Sequence, residues 1–253
     1  MFSLLYGVAA YAINLATLLY MIGFCGNLLV PKTLDSGAAA SWPQALGIDL
    51  LLLALFGVQH SVMARQGFKS WWTRIVPPAV ERSTYVLFTC LVLGLLFWQW
   101  QPIPEPLVWR VGGSAASILW ALFGLGWLIV LISTFLINHF ELFGLQQVFA
   151  RFTGKPFAEA RFRTPLFYRH VRHPLYAGLL LSFWSAPVMS AGHLLFSAGA
   201  TTYIFIGIWF EERDLIATFG ERYRRYRDEV GMLWPWPRPR TGMPPVRDGA
   251  PRS

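Results

Sequence analysis

The chain is short of charge. Only 13% of its 253 residues are Asp, Glu, Lys or Arg, where a soluble domain carries about a quarter. That deficit, with 55% hydrophobic residues and a mean hydropathy of +0.45, argues against an ordinary water-soluble globule and for a polytopic membrane protein. Cysteine is equally scarce. Cys25 and Cys90 both lie inside apolar runs, so they read as small buried hydrophobes rather than as a disulfide or a nucleophile. There is no C-x-x-C and no zinc-ligand spacing. The motifs of soluble enzymes are missing too: no G-x-G-x-x-G after a strand, no Walker sequence, no G-x-S-x-G. No internal repeat is visible. No small-residue cleavage site follows the first hydrophobic run, which therefore reads as a retained helix.

What is present is a series of long apolar segments. A membrane-spanning helix needs about 20 mostly apolar residues, with a lower limit near 17. Six segments qualify: residues 4–28, 46–63, 84–100, 114–138, 175–191 and 194–210. The fifth is short and carries Pro187 near its end, so five full spans and one partial span is a variant of the same reading. Very few residues join the fifth to the sixth, which predicts a tight C-terminal helical hairpin. The expected fold is an all-α polytopic membrane bundle, one domain over residues 1–237. Residues 67–76 (G-F-K-S-W-W-T-R-I-V) read as an interfacial stretch with Trp71 and Trp72 at headgroup level. The Pro- and Arg-rich tail, residues 238–253, is expected to be disordered.

The net charge of +8 is unevenly placed. Of the 21 Lys and Arg, all but Lys32 and Arg110 fall after the second segment, after the fourth, or in the C-terminal part. Basic loops stay in the cytoplasm. Six spans with both termini cytoplasmic satisfy this rule almost without exception, and topology explains the charge better than nucleic-acid binding does. The expected location is a bacterial inner membrane, with lipid as the surrounding partner.

This topology gathers polar groups at one depth. Gln59 and His60 end the second segment. Asn138, His139 and Glu141 end the fourth. His173 opens the fifth, and Glu211 and Glu212 end the sixth. Each histidine alone reads as an interfacial or core residue. Together they outline a pocket open to the cytoplasm, because ionisable groups within a membrane are costly and tend to be functional. His193 falls at the opposite turn and receives no role. Arg222, Arg224, Arg225 and Arg227 could be a topogenic cluster. Their mixing with Tyr223 and Tyr226 also suits a pocket.

The run R-H-P-L-Y-A-G (172–178), then E-E-R-D-L (211–215), then F-G-E-R-Y-R-R-Y (219–226) resembles the catalytic half of the isoprenylcysteine carboxyl methyltransferase-like membrane family. Phospholipid N-methyltransferases and sterol reductases are similar here. The blocks V-Q-H-S-V-M-A-R (58–65), E-R-S-T-Y-V-L (81–87) and N-H-F-E-L-F-G-L-Q-Q-V (138–148) extend the likeness over most of the chain. They are similar to those of the bacterial methanethiol S-methyltransferases. The resemblance implies a catalytic half at about 138–234 and S-adenosylmethionine as cofactor. It implies methanethiol as substrate and dimethyl sulfide as product. By position, the cofactor site would involve Tyr168, Arg169, His170, Arg172, His173, Tyr176, Gly178, Glu211, Glu212, Tyr223, Arg224 and Arg227.

The chemistry implied is in-line displacement at a sulfonium methyl group. The cofactor carboxylate needs a cation, from Arg169, Arg172 or Arg224. Its amino group and ribose need acceptors, from Glu211 and Glu212. Pro174 suits a first helical turn, and Gly178 leaves room for a ligand. A thiol is mostly protonated at neutral pH, so a neutral histidine is a useful base. His60, His139 and His170 are candidates, His60 first, with Gln59, His60, Asn138 and His139 around the substrate. The sulfonium charge could instead stabilise the thiolate unaided. No metal is required. Two other readings stand beside this one: a lipid or prenylcysteine acceptor, and a His-ligated haem or quinone protein. A transporter has less support, since there is no inverted repeat and no broken helix pair.

Overall fold

Proline and glycine set many of the helix limits. The computed structural model describes residues 1–154 and 162–235. In chain order the elements are α1 (Phe2–Gly26), α2 (Trp42–Ala64), α3 (Gln66–Trp72), α4 (Pro78–Gln99), β1 (Leu107–Arg110), α5 (Gly113–Ile137), α6 (His139–Leu142), α7 (Leu145–Thr153), a 3-10 turn (Leu166–Arg169), α8 (Pro174–Trp184), β2 (Val188–Ser190), α9 (Ala191–Phe219) and α10 (Glu221–Glu229). Proline stands in the first turn of α2, α4 and α8, where its missing N–H has no partner to lose. Asn27 ends α1 in the left-handed conformation, and its N–H and that of Leu28 both return to Gly23 O, which satisfies carbonyls the helix would leave bare.

Five helices, α1, α2, α4, α5 and α9, are long and apolar enough to cross a membrane. Their outward faces carry Leu51, Trp98, Ile118, Leu128, Phe135 and Trp209. Helices apolar on both faces belong in lipid, where every backbone group must be satisfied within the chain. The all-α membrane bundle expected from composition is the observed architecture. α3 falls within the basic-aromatic stretch expected to lie at the interface.

The hairpin of the fifth and sixth predicted segments differs from expectation. α8 has 11 residues, about 16 Å at 1.5 Å per residue, roughly half of a hydrocarbon core of about 30 Å. The helix stops at Ser185, and Pro187 follows. Residues 188–190 then pair antiparallel with β1, Leu107 opposite Ser190 and Arg110 opposite Val188. The return across the bundle is thus part helix and part extended chain. α9 is longer than predicted. It continues through Glu211, Glu212 and Asp214 to Phe219, where Gly220 at φ 56° ends it. The acidic pair therefore lies within a helix and does not close one.

The ends of the bundle are distinct. At one, Lys32 Nζ meets Trp98 O at 2.8 Å, Gln101 N meets Asp49 Oδ1 at 2.8 Å, and Ser190 donates to Asp35. Most of the fully buried large side chains, Trp100, Phe24, Leu34, Leu96 and Met189 among them, pack toward this end. At the other, Arg65 pairs with Asp214 at 3.1 Å and Arg82 Nε donates to Leu142 O at 2.7 Å. The second end carries the basic segments, and there the candidate polar residues gather. The expected disordered tail lies outside the described residues, as do Lys155 and Arg161.

Candidate active site

The basic end holds one buried ionic cluster, and Arg172 is its hub. Val171 bridges Gly231, Arg172 N donates to Gly231 O at 2.9 Å, and His173 N donates to Met232 O at 3.0 Å. The strand-like approach to α8 is thereby fixed against the chain that follows α10. The Arg172 guanidinium donates to Glu212 Oε1 at 2.8 Å, to Arg227 O at 2.9 Å and to Val230 O at 2.5 Å. His173 Nε2 lies 3.1 Å from the same Glu212 oxygen, and its Nδ1 is 3.8 Å from Glu211. The Arg172 and Glu212 side chains are only 4% and 12% exposed. A buried ion pair of this kind is costly to break from one side. Glu211 is 43% exposed, so its carboxylate faces an accessible space.

α10 closes the cluster. Tyr226 donates its hydroxyl to Tyr168 O at 2.5 Å. The Tyr223 side chain is buried and its hydroxyl has no partner among the described residues. Burial pushes the Tyr168, Tyr223 and Tyr226 hydroxyls up from their ordinary range, with Glu212 adding to the effect at the latter two. All three stay protonated at neutral pH, so each hydroxyl keeps a proton to donate. Tyr176 lies tilted against His173 at 5.7 Å between ring centres. Its hydroxyl is within electrostatic reach of Glu211 and also of Tyr203 and Tyr85, which joins the ionic cluster to the surroundings of His60.

His60 sits between α2, α4 and α9. Its ring stacks on Phe56 at 5.3 Å and meets Tyr203 edge-on at 6.2 Å. Nδ1 is 3.1 Å from Thr89 Oγ1, and Nε2 is 2.8 Å from the Tyr85 hydroxyl. Thr89 donates its only hydroxyl proton to Tyr85 O at 3.0 Å. It must then accept from the ring, so Nδ1 carries hydrogen and Nε2 presents the lone pair. His139, on α6, is held the same way. Thr134 donates to Leu131 O at 2.7 Å and accepts from Nδ1 at 2.8 Å, while Tyr11 occupies Nε2 at 2.7 Å. Phe135 lies face to face with the His139 ring at 4.1 Å. Burial lowers the His139 pKa.

The other predicted residues lie outside this hydrogen-bonded cluster. Asn138 caps α6, accepting from Glu141 N and donating to Glu141 Oε2 and Gln146 Oε1. Gln59 donates to Met63 Sδ at 3.1 Å, and its buried carbonyl oxygen has no partner among the described residues. His170 and Arg169 are exposed on the turn before α8. Arg224 is exposed and pairs with Glu221 at 3.4 Å. Gly178 meets α5: a methyl group there would sit 2.6 Å from Gly126 O, so its smallness serves helix packing. Two cavities, of about 140 and 490 Å³, are lined from the opposite end of the bundle, by Cys25 and His193 in one and Lys32 and Trp98 in the other. They are remote from this chemistry. Sequence reading missed Tyr85, Thr89 and Tyr203. The one signal available was the spacing of Tyr85 and Thr89, one helical turn apart on a single face of α4.

Comparison with known proteins finds full-length likeness. The chain is 55% identical to the methanethiol S-methyltransferase of Mycobacterium tuberculosis over 236 residues, covering 93% of this chain and 96% of the relative. It is 56% identical to methanethiol S-methyltransferase 1 of Bradyrhizobium diazoefficiens, covering 92% and 82%. Nurim of Pan troglodytes is 32% identical over 67% of this chain and 68% of that one. No family model matches the chain, and no solved structure does.

Proposed function

We propose that this chain, which belongs to the methanethiol S-methyltransferase family, methylates methanethiol to dimethyl sulfide with S-adenosylmethionine as donor, in a pocket at the cytoplasmic face of a bacterial inner membrane. The observation that carries this reading is the Arg172–His173–Glu212 cluster with Glu211 open beside it and the Tyr223 hydroxyl buried without a partner among the described residues.

That donor set fits the cofactor. A zwitterionic amino acid and a ribose need acceptors, donors and a cation within one partly dry space. Glu211 is the accessible acceptor, and Tyr223 is a donor in want of an oxygen. Arg172 has Nε and Nη1 committed to Glu212 and two carbonyls, so it orders the site. The carboxylate partner is then drawn from Arg169, Arg224 and Arg227, whose segments border the cluster, and Tyr168, His170, His173 and Tyr176 complete its wall. When bound, the sulfonium supplies a methyl group open to in-line displacement.

The rest falls to the chain. An ordinary protein thiol has a pKa of about 8.5, so a simple thiol arrives largely protonated and needs a base. His60 presents Nε2 in the required tautomer, on the side joined to the cofactor cluster through Tyr176. Phe56 and Tyr203 shield it from water, and a dry site favours the meeting of thiolate and sulfonium, whose charges cancel. Both ring nitrogens of His60 and of His139 are engaged by hydroxyl groups, which argues against their serving as haem ligands.

The test is direct. Purified protein in detergent, given methanethiol and S-adenosylmethionine, is expected to release dimethyl sulfide into the headspace, and to give no product from a prenylcysteine acceptor. Cofactor bound without any dimethyl sulfide would overturn the substrate. Glu211→Ala is expected to weaken cofactor binding by about 10- to 100-fold, the weight of a hydrogen bond to a charged group. Unchanged affinity by calorimetry would remove Glu211 from the site.

A further inference from the structure

In the structure as it stands, His60 Nε2 is covered. Tyr85 places its hydroxyl 2.8 Å away, so a substrate proton cannot reach the imidazole without displacing the phenol or passing through it. Both hydrogen-bond partners of that hydroxyl, His60 Nε2 and His60 O at 3.4 Å, are acceptors. The phenolic oxygen therefore donates its proton inward and receives no hydrogen bond from any described residue. Its lone pairs are available to an incoming S–H. Thr89, by accepting from Nδ1–H, fixes the ring so that Nε2 is always the end facing Tyr85.

Tyr11 and His139 repeat this arrangement, and location separates the two. His139 and Tyr85 are alike in burial, 4% and 5% exposed, and their neighbours differ: His139 is boxed by Tyr11, Phe135, Phe140 and Phe143. Its neighbours come from α1, α5 and α6. Tyr85, by contrast, is one of the groups that Tyr176 senses together with Glu211. The His60 pair thus borders the donor cluster, and the His139 pair is a structural bolt.

We propose that Tyr85 is the catalytic group that meets the thiol and relays its proton to His60. This rests on the methanethiol reading above. As the sulfur approaches, its proton passes to Tyr85 Oη while the tyrosine proton passes to His60 Nε2. The sulfur pair so freed forms the new S–C bond, and the C–S bond of the sulfonium breaks with its electrons left on the donor sulfur. The products are a neutral thioether, the neutral demethylated cofactor and an imidazolium that later loses its extra proton to solvent. Tyr85 is a neutral phenol before and after, so no phenolate has to exist in a dry site. Thr89 acts through His60 and is a positioning residue.

Tyr85→Phe removes the oxygen and keeps the ring. In the purified variant, kcat for methanethiol is expected to fall about a hundredfold, the usual weight of one proton-transfer group, with cofactor affinity by calorimetry within twofold of the parent. Trifluoroethanethiol, a small thiol whose electron-poor sulfur ionises at lower pH, needs less help and is expected to lose less than tenfold. A Tyr85→Phe enzyme that keeps its methanethiol rate, or loses both thiols equally, overturns the relay alone. A parent enzyme inert toward both thiols overturns the parent reading and the relay with it. Should the variant fail to fold, the unaltered enzyme still decides the matter. Two protons in flight give a curved dependence of kcat on the deuterium content of the solvent, and a straight line overturns the relay.

Discussion

At the scale of single residues, the histidines of this chain divide by what holds their nitrogens. His139 is neutral, buried and bonded to two hydroxyls, and burial holds its pKa below the ordinary imidazole range. The unfolded chain takes up a proton at this residue near pH ~6.5, while the folded chain resists it. Stability from this source is complete above that pH and is lost as the pH falls from there toward the folded pKa. The thermal midpoint in detergent is expected to drop between pH 7.5 and 5.5, less steeply in His139→Asn; equal slopes would deny the residue this part. Arg172, read from sequence as one of three cations for a cofactor carboxylate, spends its donors on Glu212 and on main chain. No sequence pattern announces this, since the carbonyls it meets are set by the path of the chain after α10. The cluster itself was legible because R-H-P, E-E-R and R-Y-R-R-Y each concentrate ionisable groups in a chain that has few. Tyr85 was not, because a tyrosine in an apolar helix is ordinary.

At the scale of elements, the tightest pairing is α5 with α8. Gly126 and Gly178 let the two backbones approach so closely that a methyl group on either would lie 2.6 Å from the other's carbonyl oxygen. Gly178→Ala is expected to lower stability by about 1–3 kcal/mol, the cost of overpacking a filled interface. A thermal midpoint unchanged from the parent would show that the helices part freely. Sequence periodicity found the five long helices to within a few residues at most ends, since 20 apolar residues leave little choice. It overextended α8, because residues 185–191 carry no charge and only the proline hints that they are extended. The four- and three-residue strands β1 and β2 are too short to leave any alternation. The end of α9 was set too early, because glutamates are good helix formers even when they end an apolar run.

At the scale of the whole molecule, the basic segments and the buried ionic cluster share one end. The paired carboxylates, the buried guanidinium and the basic loops all lie there, and Lys32 and Arg110 lie at the other. Single cysteines placed at Arg74 and at Arg110, in a chain with Cys25 and Cys90 replaced by alanine, are expected to differ. A membrane-impermeant thiol reagent added to intact cells should label the second and spare the first. The reverse pattern would put the pocket on the wrong side for a cytosolic cofactor. Arg172 also bears on the order in which the site comes into being. Its carbonyl partners Arg227 and Val230 follow it by 55 and 58 positions, so the ribosome delivers the guanidinium long before the groups that receive it. A nascent chain paused between them holds an unmatched cation, and the buried cluster closes only in a late step of synthesis.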